Sequence, residues 1–66
     1  MTRFEAAQAL KAGKKLTHRY FDKDEWVMGT DDGNYIMEDG VKCTAMEFWK
    51  WRTNPVFNID WEIYKE

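Results

Sequence analysis

Turn signals divide this chain into short segments, and the segments are too short for anything but a small mixed domain. Gly13, Asp22-Lys23-Asp24, Asp31-Asp32-Gly33-Asn34, Asp39-Gly40 and Asn54-Pro55 punctuate the 66 residues. Gly and Asn tolerate positive φ, so the second and third of these tight Asp/Gly runs favour hairpins. A proline at position 55 disfavours the helical region at Asn54 and stops whatever precedes it.

The segments between turns carry recognisable patterns. Thr2-Arg3-Phe4-Glu5 reads as a capping box, in which Thr2 and Glu5 satisfy one another's backbone amides. Phe4, Ala7 and Leu10 recur at helical spacing with Ala6 beside them, so a helix is predicted from Arg3 to Ala12. Gly13 suits its left-handed cap. Lys15 to Tyr20 is predicted as a strand, with Leu16, His18 and Tyr20 on one face and Thr17, Arg19 and Phe21 on the other. Further strands are predicted at Glu25 to Thr30, with Trp26 and Met28 on one face, at Asn34 to Glu38 and at Val41 to Cys43. Thr44-Ala45-Met46-Glu47 is a second capping box, and a short helix is expected near Ala45 to Arg52. Ile59 to Tyr64 alternates, with Ile59, Trp61 and Ile63 predicted to face the core. The order α-β-β-β-β-α-β implies an α+β fold: two helices packed on one small antiparallel sheet, as a single domain over residues 1–66.

A domain near this size buries only about 60% of the surface its unfolded chain exposes. Yet 17% of the residues are aromatic, including Trp26, Trp49, Trp51 and Trp61. Some of these rings are expected to line a pocket or a subunit interface, because a single thin layer does not hide them all. The formal net charge of −2 argues against general nucleic-acid binding, which needs a basic face. There is one cysteine, Cys43, so no internal disulfide is expected and a cytoplasmic setting is the simplest reading. No apolar run is long enough for a membrane span.

The residues do not assemble a catalytic set. His18 is the only histidine and reads as a structural residue; Cys43 has no histidine dyad. Metal-ligand spacings and Gly-rich phosphate loops are absent, so neither metal nor cofactor is expected. Binding signals are better represented. A nucleotide-like ligand needs a stacking face, a cation for phosphate and a polar group for a base edge or ribose. Arg19, Phe21 and Asp22 supply one such group at the end of the first strand. Trp49, Arg52 and Asn54 supply another at the end of the second helix.

The opening, Phe4-Glu5-Ala6-Ala7-Gln8-Ala9-Leu10-Lys11-Ala12-Gly13-Lys14-Lys15-Leu16, with an aromatic following at Phe21, resembles a family of small phage proteins, the type-two Thoeris anti-defence proteins. Their usual form is F-x-x-A-L-x-x-L-K-x-G-K-K-V, a strand leading to W-N-G-K-G, then a Trp, a polar loop and D-W-E-I. Asp60-Trp61-Glu62-Ile63 matches that ending, and Trp49 falls at the earlier Trp. Together the two ends cover roughly half of the chain; Phe21-Asp22-Lys23-Asp24-Glu25 replaces W-N-G-K-G. A carboxylate at Asp22 stands for the amide and cannot donate as an amide does.

The resemblance implies a cytoplasmic protein that binds and sequesters cyclic nucleotide messengers without degrading them, in homo-oligomers with pockets between subunits. The messengers include cyclic ADP-ribose isomers and cyclic dinucleotides. It further implies Phe21 as the stacking residue, Asp22 as an acceptor and Trp49 as the opposite wall. Arg19 and Arg52 would meet phosphate and Asn54 would add a polar contact, on residue type. One relative is identified as an inhibitor of a CRISPR nuclease, which makes a host defence protein the alternative partner.

Overall fold

The computed structural model describes residues 1–65. Its elements in order are α1 (Arg3–Lys11), β1 (Lys15–His18), β2 (Val27–Gly29), β3 (Asn34–Met37), β4 (Lys42–Thr44), α2 (Ala45–Lys50), a 3-10 turn (Pro55–Asn58) and β5 (Trp61–Ile63). The five strands form one antiparallel sheet in the order β4-β3-β2-β1-β5. The α+β architecture expected from the turn spacing is the observed one. The last strand returns beside the first, with Leu16 opposite Ile63 and His18 opposite Trp61.

Both capping boxes form. Glu5 N donates to Thr2 Oγ1 (3.2 Å) and Thr2 N donates to Glu5 Oε1 (2.9 Å). Glu47 N donates to Thr44 Oγ1 (3.1 Å) and Thr44 N to Glu47 Oε1 (3.1 Å). Such a box satisfies amides that no helix can pair internally. Gly13 closes the first helix at φ 84°, a conformation that a side chain would oppose.

The core lies between the helices and one face of the sheet: Ala6, Leu10, Leu16, Val27, Tyr35, Phe48 and Trp61. α1 turns Arg3, Ala6, Ala9 and Leu10 toward the sheet. Phe4, expected on that face, is 72% exposed. At the other end of α1 the contact with the sheet is close: a Cβ built on Gly29 of β2 would lie 1.7 Å from the Leu10 carbonyl oxygen, so helix and strand backbones touch there.

Other boundaries shift for local reasons. β1 ends at His18, two residues short of the predicted Tyr20, because the chain turns: Phe21 N donates to His18 O (2.9 Å) and Tyr20 N to His18 Nδ1 (3.1 Å). That turn leaves Tyr20 62% exposed and brings Phe21 onto the core side, against Trp61. β2 begins at Val27, since Asp22 to Glu25 closes a turn through Glu25 N to Asp22 O (3.0 Å). α2 stops at Lys50 instead of Arg52, with Trp51 as its cap. Just before β5, Asp60 adopts φ 69°, which breaks the predicted alternation at Ile59, 55% exposed. Within β5 the alternation holds: Trp61 is buried, and Ile63 lies on the same face opposite Leu16 but, on the edge strand, stays 48% exposed.

Trp61 is the centre of the packing. Its ring meets His18 (4.7 Å), Phe21 (5.5 Å), Trp49 (5.3 Å) and Phe48 (6.1 Å), and its Nε1 donates to Phe57 O (2.8 Å). His18 is 3% exposed. Because its Nδ1 accepts from Tyr20, its proton sits on Nε2, which faces Ile59 O (2.8 Å) and Val56 O (2.9 Å). The histidine therefore ties β1 to the 3-10 turn, a structural role.

Candidate functional site: an arginine–aromatic cluster at the end of the second helix

α2 is anchored by Phe48, which is 2% exposed and edge-on to both Tyr35 (5.2 Å) and Trp49 (5.0 Å). The chain leaves the helix through Trp51 and Arg52, and Arg52 folds back over it. The Arg52 guanidinium lies 3.9 Å over the Phe48 ring and 5.8 Å from that of Phe21. Its Nη1 donates to Phe48 O (3.1 Å), and no other side-chain bond or ion pair of Arg52 forms with the described residues. Most of the guanidinium fork is thus unused, while burial lowers its pKa below the ordinary arginine value. A partly desolvated cation with spare donors and a neighbouring ring is suited to an anion attached to a planar group.

Arg3 completes the arrangement from the other helix. It donates through Nη1 to Arg52 O (2.7 Å) and through Nη2 to Trp49 O (3.1 Å), with its guanidinium 4.7 Å over the Trp49 ring. The Arg52 carbonyl is satisfied this way, and the Trp49 carbonyl, which already accepts from Arg52 N (3.1 Å), gains a charged donor. Trp49 Nε1 in turn donates to Tyr35 Oη (3.0 Å), so the indole plane is fixed. Cys43 is half-buried and free, and burial raises its thiol pKa. Nothing in the sequence marked Arg3 or Phe48 for this cluster, because both act on residues brought in by the fold.

The six residues expected to contact ligand divide into groups. Phe21, Trp49 and Arg52 are brought together around Trp61 and Phe48. Asn54 follows on the same loop, exposed, with its Oδ1 accepting from Val56 N (3.1 Å) to cap the 3-10 turn. Asp22 is exposed on the β1–β2 turn, where its N donates to Glu25 Oε1 (3.0 Å). Arg19 points away, its side chain 71% exposed and 3.8 Å from Asp60 Oδ2. It lines an open groove of about 700 Å³ with Thr2, Glu5 and Ile59.

A second cleft, of about 520 Å³, lies between α1, the β2–β3 turn and the start of α2. Neither cleft is lined by Phe21, Trp49 or Arg52. The cluster lies outside both clefts. Among the described residues no group of three His, Cys, Asp or Glu side chains could hold a metal ion. No helix there is long and apolar enough to cross a membrane.

Fold and cluster together define a two-layer α+β domain with its helices on one face of a five-stranded antiparallel sheet. No family model matches the chain, and comparison with curated proteins and with solved structures finds no match.

Proposed function

We propose that this protein is a phage anti-defence protein that binds a cyclic nucleotide signal and sequesters it unchanged. The observation that carries the reading is Arg52: a half-buried guanidinium stacked on Phe48, facing Phe21, with most of its donors unspent. Phosphate would take those donors, and Phe21 and Trp49 would supply the flat surfaces a base needs. The reading includes a homo-oligomer, in which a second copy contributes to the pocket, as the family resemblance implies. The resemblance of both chain ends to the Thoeris anti-defence family supports the same ligand class.

Native mass spectrometry of the protein with cyclic dinucleotides, cyclic trinucleotides and cyclic ADP-ribose isomers tests the proposal. An oligomer that gains a defined number of one ligand, released at unaltered mass, supports it. A converted product would make the protein an enzyme instead, and uptake of none would remove the ligand reading.

A direct inhibitor of a host defence enzyme is the second reading, and it is favoured by the outer side of α2. Met46 is 81% and Trp51 78% exposed there, the kind of apolar anchor that protein interfaces use. Adding the protein to a host effector already activated separates the two. A sponge leaves that effector running, whereas an inhibitor stops it.

A further inference from the structure

The cleft of about 520 Å³ lies apart from the arginine cluster and has its own chemistry. Its size falls within the range of small-molecule sites, about 300–1,000 Å³. The floor is apolar, formed by Ala7, Leu10 and Ala45 beside the buried Tyr35. Two alanines where longer side chains would fill the space leave the cleft open.

The rim is rich in acceptors. The C-terminal turn of α1 forms one side, through Lys11, Ala12 and Gly13. A helix end of this kind carries partial negative charge. The carbonyls of Lys11 and Ala12 accept no hydrogen bond from the described residues. Opposite them is Asp31, exposed, whose carboxylate makes no hydrogen bond or ion pair with those residues. Its neighbour Asp32 is already engaged: it accepts from Thr30 Oγ1 and from Asn34 N (3.3 Å) and lies 3.9 Å from Lys42 Nζ. Asp31 is therefore the carboxylate left over at the mouth. The one opposing charge is Lys11, which is exposed and also free of partners among the described residues.

We propose that this cleft binds a small primary ammonium compound with a short apolar body. The ammonium is held by Asp31 and the end of α1, and the body lies on Leu10, Ala7 and Tyr35. Lys11 works against binding, so the two rim charges have opposite effects on affinity.

Phenethylammonium is a suitable probe, with 3-phenylpropionate as the counterpart of opposite charge. Amide shifts of Gly13, Gly33 and Asn34 would be followed by NMR during titration of the intact protein. The expected result is saturable shifts with the amine and none with the acid. Asp31→Asn is expected to weaken binding about tenfold, as loss of a charged acceptor does. Lys11→Ala is expected to tighten it. Both positions are exposed, and unchanged amide spectra of the two variants without probe would show that they fold. No saturable shift, equal binding of the acid, or Asp31→Asn binding as well as the parent would overturn the proposal.

Discussion

The two helices begin alike and end differently. Each opens on a Thr-x-x-Glu capping box with the same reciprocal bonds. α1 then lies on the sheet through small residues and closes on a glycine, so its contact is backbone against backbone at Gly29. α2 sits on one aromatic knob, Phe48, and its end is finished by two arginine side chains, Arg3 and Arg52. An end built of backbone holds position and has little to offer a ligand beyond its carbonyls. An end built of guanidinium and indole groups carries donors and flat faces that ligand can use. By this comparison α1 offers a ligand only acceptors, whereas α2 offers donors and flat faces.

The largest expected effect breaks the α1 contact. Gly29→Ala places a Cβ against the Leu10 carbonyl and cannot be absorbed by a flexible side chain. The loss is expected to exceed the about 1–3 kcal/mol of ordinary overpacking. Urea denaturation of Gly29→Ala against the parent checks this, and a near-normal midpoint would show that the backbones can part freely.

Phe48→Ala removes the knob of α2 and is expected to cost about 3–5 kcal/mol, within the range for a buried aromatic. The same titration measures it. Arg3→Met sharpens the comparison, because it strips two carbonyl bonds from the end of α2 without touching its core. A loss of roughly 1–3 kcal/mol is expected, typical of bonds to a charged donor. Arg52→Met should be milder in stability and severe in ligand uptake, since most of its donors are unspent within the protein.

The smallest effects probe what the helices share. Thr2→Ala and Thr44→Ala are expected to cost similar amounts, about 0.5–2 kcal/mol each. Bonds from Thr2 hold the Glu5 carboxyl below its ordinary 4.5, and bonds from Thr44 do the same for Glu47. A carboxyl depressed in the folded state stabilises fully above its unfolded value and loses that contribution as pH falls through the folded one. Thermal midpoints should therefore fall as pH drops below the mid-fours, and Glu5→Gln with Glu47→Gln should flatten the fall.

What the sequence revealed was local. Capping boxes, Gly13 and the Asp-Gly turns act within a few residues, and the elements they imply are present. What it hid was non-local. Nothing near Gly29 announces that Leu10 will press on it. The early end of β1 depends on the His18 ring accepting from Tyr20, and His18 is itself fixed by carbonyls of Val56 and Ile59. The positive φ of Asp60 takes Ile59 out of an alternation that looked clean. In the cluster, Phe21, Trp49 and Arg52 were legible as residue types suited to a nucleotide. The meeting of Phe21 and Trp49 at Trp61, with Arg52 over Phe48, was not, nor was the reach of Arg3 to carbonyls 46 and 49 residues away.

The measurement that bears most directly on the Arg52 cluster is an NMR titration of labelled protein with the cyclic nucleotide panel, reading side-chain and backbone signals together. The account expects one ligand to shift the Arg52 guanidinium, the Trp49 indole and the Phe21 amide in step. Shifts confined to other surfaces, or a ligand taken up equally by Arg52→Met, would contradict it.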